Sequence, residues 1–553
     1  MPDPSSLGSA ARLYGRVVPR PLRSLASGMP AGVRRKAKQS LARTLDIREV
    51  GLHKRALRRL RRTELHLLSG QEVLLADGRT AHVSPGLTPQ EAWRIDHDVV
   101  TAALDSAGIP WFAVPALDDR RLSLAVESRY KGPVRRALRA LLQEHTGYVS
   151  SVMPGDPAPS RIPGGDLAAW RNYGRVRVFR VQWLRADPTA SLVLGQHAGV
   201  EIEFWTVNNE LATERLVGPR PNRVQRVVAR DTPRVELGLR QLSGYIADPS
   251  VGTTSLAPFD IPRLEDITFP VDAVVLWRDT APWAEELLRA ALRSLHQHAP
   301  WIDVVHVLAE SPVPSWLAPG ERLVVHRSGH GSALHAIPRL SEHFLLLRPG
   351  ALLGRPTRPF DYFTPTGATR PRTGPWTADE ALAEWTARAQ ELTGRAVTSG
   401  YAHGPQPLSR ATLAELGAAL PADPCGDGQT RDTLPTTHPL DGLAHHHARV
   451  ADAATPLSGK GLALHAAHPG ARRLYARLLV RRDVQHLHLF GLGSATALAD
   501  GTRAALDFLR AYFPVPSPYE SSPAVPAGAG TSPAVPGATA APDRVVTNAG
   551  GQA

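Results

Sequence analysis

The sequence is poor in cysteine and lysine. Its 553 residues include one cysteine, Cys425, and only five of its 64 basic residues are lysines. A single cysteine excludes an internal disulfide and a paired-cysteine metal site, which favours a reducing compartment. No apolar run approaches the roughly 18 residues of a membrane-spanning helix, and the first residues lack the apolar core of a signal peptide. These absences predict a cytoplasmic protein.

The positive charge is concentrated near the N-terminus. The formal net charge is +13, and residues 11–62 carry 16 Arg or Lys residues against Asp46 and Glu49. Leucines spaced along this basic arm give it a partial apolar stripe. A basic amphipathic helix fits an anionic membrane surface, and it equally fits a solvated helix packed on its own protein. Nucleic acid is not expected as a partner, because aromatic residues for base stacking are missing.

Composition and periodicity divide the chain into five parts. The basic arm at 1–62 is followed by alternating strand and helix patterns at 63–150, which predict a small α/β unit. Period-two alternation at 166–260 predicts an antiparallel sheet. Residues 265–516 contain the core stretch and a more helical C-terminal part. Residues 517–553 are rich in Pro, Ala, Gly and Ser and are predicted to be disordered.

Two polar clusters are interpreted as structural. Glu201 and Glu203 share one face of a strand, and we expect the solvated face of a half-covered sheet. His445, His446 and His447 are consecutive, so adjacent members of a regular helix do not face one ion. No cysteine accompanies them, and no metal site is predicted.

The core stretch predicts half of a doubly wound sheet. Apolar runs at 271–276, 303–309, 322–326 and 344–347 predict four buried strands, and an amphipathic helix at 284–298 follows the first of them. Sheets of this class bind ligands at the carboxyl ends of their strands. The residues that directly follow each strand are therefore the first candidates for a site.

Two arginines project from the predicted helix. Arg289 and Arg293 are four residues apart and so share one face. The guanidinium fork matches phosphate geometry, which favours a phosphate clamp beside the strand ends. Ordinary solvation explains the same pattern, and both interpretations remain open.

Several blocks of the C-terminal half resemble a known family. They follow one order over about 250 residues and lie at 271–279, 289–301, 314–317, 334–344, 354–367, 401–405 and 508–520. Together they resemble the Stealth family of capsular and exopolysaccharide sugar-1-phosphate transferases. The resemblance implies an α/β fold whose mixed sheet has a glycosyltransferase-like, Rossmann-like half.

The resemblance also implies a function and a set of site residues. Family members transfer a sugar 1-phosphate from a nucleotide sugar to a glycan hydroxyl, with Mg²⁺ or Mn²⁺ as the expected cofactor. The implied catalytic residues are Asp279 and His403. The implied substrate-binding residues are Asp272, Arg289, Arg293, Ser294 and Arg348.

One segment departs from the family pattern. Where the family reads Phe-x-Tyr-x-Asn-Asp-Asp, this chain reads Phe-Leu-Leu-Leu-Arg-Pro-Gly at 344–350. The carboxylates that would hold a divalent ion are thus replaced, and Arg348 is expected to supply positive charge directly. A catalytically silent homologue that binds a nucleotide sugar, a glycan or a partner enzyme is therefore the alternative to an active transferase.

Overall fold

The computed structural model describes residues 72–74, 79–152, 161–170, 173–196, 198–208, 214–248, 250–327, 334–374, 380–419, 439–459, 461–493 and 496–521. The predicted basic arm and almost all of the predicted tail lie outside these residues. Within them, no helix is both long enough and apolar enough to cross a bilayer.

The N-terminal half begins with strands and two helices and continues mainly as strands. Its elements are β1 (Glu72–Leu74), β2 (Thr80–Val83), α1 (Pro89–Ser106), β3 (Trp111–Val114), β4 (Leu122–Glu127), α2 (Lys131–Glu144), β5 (Tyr148–Ser151), β6 (Ile162–Pro163), β7 (Val178–Gln182), β8 (Arg185–Ala186), β9 (Val193–Leu194), β10 (Val200–Asn208), β11 (Arg215–Val217), β12 (Val227–Ala229), β13 (Arg234–Gly238), α3 (Leu239–Leu242) and β14 (Gly252–Leu256).

One mixed sheet connects the stretches predicted as separate units at 63–150 and 166–260. Strand β10 pairs in parallel with β4 and antiparallel with β7. One buried cluster includes Val100, Leu138, Phe204 and Phe259. The two stretches therefore share a sheet and a hydrophobic core, because the pairing partners of β10 come from both.

The prediction of a solvated face for Glu201 and Glu203 is wrong. Both glutamates are 2% exposed. Arg180 approaches Glu201 at 2.6 Å, and Arg220 contacts Glu201 at 2.5 Å and Glu203 at 2.7 Å. Burial alone would raise the pKa of Glu201, but Arg220 and Arg180 hold it below the usual value. Arginines from a neighbouring strand and a loop replace the expected solvent.

The C-terminal half contains the core stretch and the helical part. Its elements are β15 (Val271–Trp277), α4 (Pro282–His298), β16 (Val305–Ala309), β17 (Leu323–Arg327), β18 (His343–Leu347), β19 (Ala351–Leu353), β20 (Arg372–Gly374), α5 (Glu380–Thr393), β21 (Gly400–Tyr401), β22 (Gln406–Ser409), α6 (Arg410–Ala419), α7 (Pro439–Val450), β23 (Leu457–Ser458), β24 (Leu462–His465), α8 (Ala471–Arg481), β25 (His486–Phe490) and α9 (Thr496–Tyr512).

The predicted α/β fold is confirmed. The main sheet has the order β17-β16-β15-β18-β22, in which the first four strands are parallel and the edge strand β22 is antiparallel. Every residue of β15 is buried, as expected of a central parallel strand covered on both faces. Leu292 of α4 packs on one face, while Leu413 of α6 packs on the other.

A second, three-stranded sheet lies beside the first. Strands β24 and β25 are parallel and joined by α8, and β19 pairs antiparallel with β25. Leu487 and Leu489 of β25 belong to the same core as α4 and α9. The C-terminal part therefore contains a β-α-β unit in addition to its predicted helices, and that unit faces the carboxyl end of β18.

Candidate active site

Charged residues follow the central strands at the carboxyl edge of the main sheet. The register aligns Trp277 with Ala309, so the next residues, Arg278 and Glu310, are neighbours and form an ion pair at 3.2 Å. Asp279 is exposed, and its Oδ1 accepts a hydrogen bond from the amide of Ala281 at 2.9 Å. This turn directs the chain into α4 and leaves the Asp279 carboxylate at the edge.

Arg348 begins a tight turn at the end of β18. The amide of Ala351 donates to the carbonyl oxygen of Arg348 at 2.9 Å, and Gly350 has a φ of +81°. Pro at the second position and a positive-φ Gly at the third are the signature of a type II turn. A Cβ on Gly350 would lie 2.0 Å from the carbonyl oxygen of Leu489. The turn therefore requires glycine, and it packs against β25 at Leu489.

His403 lies beside this turn and stacks on a second histidine, His488. Their ring centroids are 5.2 Å apart with 24° between the planes. Burial lowers the pKa of His403. Burial, with the nearby His403 and Arg348, lowers the pKa of His488 to about 4. Both imidazoles are therefore neutral at pH 7 and able to accept a proton or a hydrogen bond.

The sequence analysis did not identify His488 as part of the site. Its side chain is half-buried, and its Nδ1 atom is buried without a hydrogen-bond partner among the described residues. The available signal was the alternation along β25, where leucines at 487 and 489 separate polar or aromatic residues at 486, 488 and 490. Such alternation places His488 on the face opposite the core.

Asp272 lies at the other end of β15. It is 1% exposed, and its carboxylate accepts hydrogen bonds from the amides of Val304 at 3.1 Å and Ser341 at 2.7 Å. His306 approaches it at 3.3 Å. At about 3.3 Å per residue, five residues of strand separate Asp272 from the carboxyl edge by roughly 17 Å. Its carboxylate therefore holds two loops against β15, the loop before β16 through Val304 and the loop before β18 through Ser341.

The predicted helix arginines bind residues 513–520, which follow α9 and are called the C-terminal segment below. Arg293 donates through Nε and Nη2 to the two carboxylate oxygens of Glu520, both at 2.8 Å, and through Nη1 to the carbonyl oxygen of Phe513 at 3.0 Å. Arg289 pairs with Glu286 at 2.8 Å and approaches Glu520 at 3.4 Å. The structure therefore uses their donors for protein carboxylates rather than placing them with Arg348.

Ser294 is enclosed in the core. It is completely buried, and its hydroxyl donates to the carbonyl oxygen of Ala291 at 2.8 Å. The amide of Leu353 donates to the same hydroxyl at 3.3 Å. Of the seven residues singled out, the structure brings Arg348 and His403 to one place beside β25, with Asp279 at the same sheet edge.

The residues at this edge do not fit a divalent metal ion. Mg²⁺ and Mn²⁺ prefer carboxylate and other oxygen ligands, whereas a cation and a proline stand at 348 and 349. Among the described residues, no three His, Cys, Asp or Glu side chains are placed to hold a metal. Near the end of β18 the edge instead has the Arg348 turn and two neutral imidazoles, while the exposed Asp279 follows β15.

The consecutive histidines of α7 make separate contacts. His445 Nε2 lies 2.9 Å from Gln406 Oε1, and His446 Nε2 lies 3.1 Å from Thr393 Oγ1. The third, His447, pairs with Glu415 at 2.9 Å. Their rings point to three different elements.

The chain is similar to proteins with one shared description. No family model matches it. It is 56% identical over 527 residues to an exopolysaccharide phosphotransferase of Streptomyces coelicolor, which covers 94% of this chain and 97% of that protein. A second exopolysaccharide phosphotransferase of the same organism is 31% identical over 93% of this chain and 97% of its own length. The chain belongs to the exopolysaccharide phosphotransferases.

More distant members extend the similarity to another genus. The exopolysaccharide phosphotransferase CpsY of Mycobacterium leprae is 27% identical over 81% of this chain and 90% of its own length. This family agrees with the Stealth-like resemblance of the sequence blocks. The similarity spans both halves of the chain and is not confined to the core stretch.

Proposed function

We propose that the protein transfers a sugar 1-phosphate from a nucleotide sugar to a hydroxyl group of a glycan during exopolysaccharide synthesis. The membership in the exopolysaccharide phosphotransferases supports the reaction class. The observation that carries the assignment of the site is the His403–His488 pair on β25, the strand that packs against the turn of Arg348 at the carboxyl end of β18. A cation for the phosphate oxygens and a neutral base for the attacking hydroxyl are two of the groups that phosphoryl transfer uses.

In the proposed reaction the acceptor oxygen forms a bond to the phosphorus that carries the sugar. The bond from that phosphorus to the bridging oxygen breaks, and a nucleoside monophosphate leaves. His403 accepts the proton of the acceptor hydroxyl, which its lowered pKa permits at neutral pH. Arg348 donates hydrogen bonds to the phosphate oxygens, where negative charge accumulates. The exposed Asp279 accepts a hydrogen bond from the donor sugar.

The donor set at the edge favours catalysis without a bound divalent ion. In the resemblance, two family aspartates hold Mg²⁺ or Mn²⁺ on the pyrophosphate. Here Pro349 and Gly350 occupy those positions, and Arg348, at the preceding asparagine position, offers charge directly. We therefore propose that the guanidinium takes over part of the charge stabilisation.

A catalytically silent protein is the second candidate. It is favoured by the same replacement, because one guanidinium supplies less charge than a divalent ion and lacks its geometry. Such a protein would bind a nucleotide sugar, a glycan or a partner enzyme of the same pathway without releasing nucleotide.

The test is a transfer assay with a panel of nucleotide sugars and a polysaccharide acceptor. The transferase predicts equal amounts of nucleoside monophosphate and phosphodiester-linked sugar. His403→Asn should lower the rate by about 10² or more, the usual contribution of a general base. Arg348→Gln tests the guanidinium in the same assay. Its matched control is Arg226→Gln, which changes an exposed arginine of the N-terminal half. Binding without product in every combination would support the silent alternative.

The basic arm at 11–62 is proposed to hold the protein on an anionic membrane surface at the cytoplasmic side. Each basic residue near anionic headgroups contributes on the order of 1 kcal/mol. Co-sedimentation with vesicles that contain anionic lipid should disappear when residues 1–62 are deleted. Persistence of binding in the deletion variant would refute the proposal.

A further inference from the structure

A row of aromatic rings continues from the His403–His488 pair. The His488 and Phe490 rings are 5.6 Å apart with 25° between their planes, and the His465 ring meets Phe490 edge-on at 5.1 Å. All four side chains are half-buried. The two stacked contacts and the edge-on contact form one continuous row on the face of β24 and β25 that is turned away from the core. We call His403, His488, Phe490 and His465 the ring row.

The ring row ends where a ligand is expected in a β-α-β unit. His465 and Phe490 are the last residues of the parallel strands β24 and β25. Gly491 follows with a φ of +70°, and a Cβ at that position would lie 2.5 Å from the His465 ring. The segment Gly491–Gly493 therefore approaches the row closely, which a larger residue at 491 would prevent.

The same row borders the positive charge of the candidate active site. The amide of Leu489 donates to the carbonyl oxygen of Gly350 at 2.9 Å, which fixes the turn of Arg348 on β25. Arg348 is close enough to His488 to act on its pKa. Flat ring faces therefore lie on the strand that packs against the turn of Arg348. A nucleotide has the complementary chemistry, with a flat heterocycle joined to phosphate groups.

We propose that His488 and Phe490 of the ring row bind the base of the nucleotide donor by stacking, with the diphosphate directed towards Arg348. This inference rests on the proposed function and assigns one part of its substrate to named residues. Aromatic side chains stack bases of any identity because every base has a π face. A row of neutral rings therefore contributes affinity for the nucleoside without selecting the sugar.

Calorimetry with the full chain separates the base from the phosphates. The probes are the 5′-diphosphates of uridine, cytidine, adenosine and guanosine, together with inorganic pyrophosphate and a hexose 1-phosphate. Phe490→Leu keeps apolar volume and removes the aromatic face. It should weaken the tightest nucleoside diphosphate about tenfold and leave pyrophosphate unchanged. Arg348→Gln should weaken both ligands, and Phe360→Leu, a half-buried aromatic outside the row, should change neither.

Three outcomes would overturn the inference. One is an unchanged nucleoside diphosphate affinity in both Phe490→Leu and His488→Leu, with the fold verified by circular dichroism. Another is equal weakening of pyrophosphate, which would indicate a general disturbance. The third is selective weakening of the hexose 1-phosphate, which would assign the row to the sugar. In each of these cases continued turnover of nucleotide sugar would leave the proposed function standing. Failure of the wild-type chain to bind any nucleotide probe would contradict both this inference and the proposed function.

Discussion

Replacing Glu520 with glutamine should release the C-terminal segment from α4. Glu520 accepts two 2.8 Å hydrogen bonds from Arg293, and it also accepts from the amide of Ser517 at 2.9 Å. The Arg293 and Glu520 side chains are 17% and 11% exposed. Although burial opposes ionisation, these bonds hold the pKa of Glu520 below its usual value. The carboxylate is therefore charged and well bonded in the folded protein.

The expected loss is large for a single pair. Breaking a buried ion pair on one side costs about 3–5 kcal/mol, and the partial exposure of this pair reduces the expectation to about 2–3 kcal/mol. The adjoining backbone bonds, from Ala318 to the carbonyl of Tyr519 and from Ser521 to that of Trp316, would open with the segment. Since about 1.4 kcal/mol corresponds to a factor of ten, local amide exchange should accelerate about 30- to 150-fold.

Hydrogen exchange with mass spectrometry of peptides around 313–321 and 513–521 measures this opening. Glu321→Gln, which changes an exposed carboxylate nearby, is the control and should leave exchange unchanged. The reasoning is refuted if Glu520→Gln leaves exchange unaltered. If Arg293→Gln then abolishes pyrophosphate binding without changing exchange, the helix arginines act on substrate, as their sequence spacing suggested.

Two further changes test the folded state. His298 is 4% exposed, and burial lowers its pKa to about 3, so between about pH 3 and pH 6.5 only the unfolded chain takes up this proton. His298→Leu should therefore remove about 2 kcal/mol of the stability that the wild type loses between pH 7 and pH 5, measured by urea denaturation. An identical pH dependence in the two proteins would contradict this. Gly350→Ala should lower the free energy of unfolding by about 1–2 kcal/mol or more, because Gly350 has a positive φ and a Cβ there would collide with Leu489. A melting temperature equal to that of the wild type would contradict the turn geometry.

Local signals predicted much of the fold. Threonine, proline and glutamate at 88, 89 and 91 form the usual pattern of a helix start, and in the structure they form a capping box at α1, in which the Thr88 amide donates to Glu91 at 2.8 Å. Continuous apolar runs predicted the parallel strands, because strands covered on both faces need no polar alternation. The order of those strands then placed Asp279 and Arg348 at one edge.

The remaining contacts depend on segments distant in sequence. Periodicity identified the face of α4 that carries Arg293, but its partner lies 227 residues later. The glutamates of β10 alternate like solvated residues, and only the fold brings Arg180 and Arg220 to them. His488 joined the site because β25 packs against the turn after β18. The sequence pattern predicts which face of a helix or strand a residue occupies, but not which distant segment covers that face.

The most direct test of the account is the release of nucleoside monophosphate from a nucleotide sugar in the presence of acceptor, with and without EDTA. The account predicts that release continues in EDTA and falls by about 10² or more in Arg348→Gln, since the guanidinium is proposed to supply the positive charge on the phosphate oxygens. Release that stops in EDTA and returns with Mg²⁺, or that is unaffected by Arg348→Gln, would contradict it.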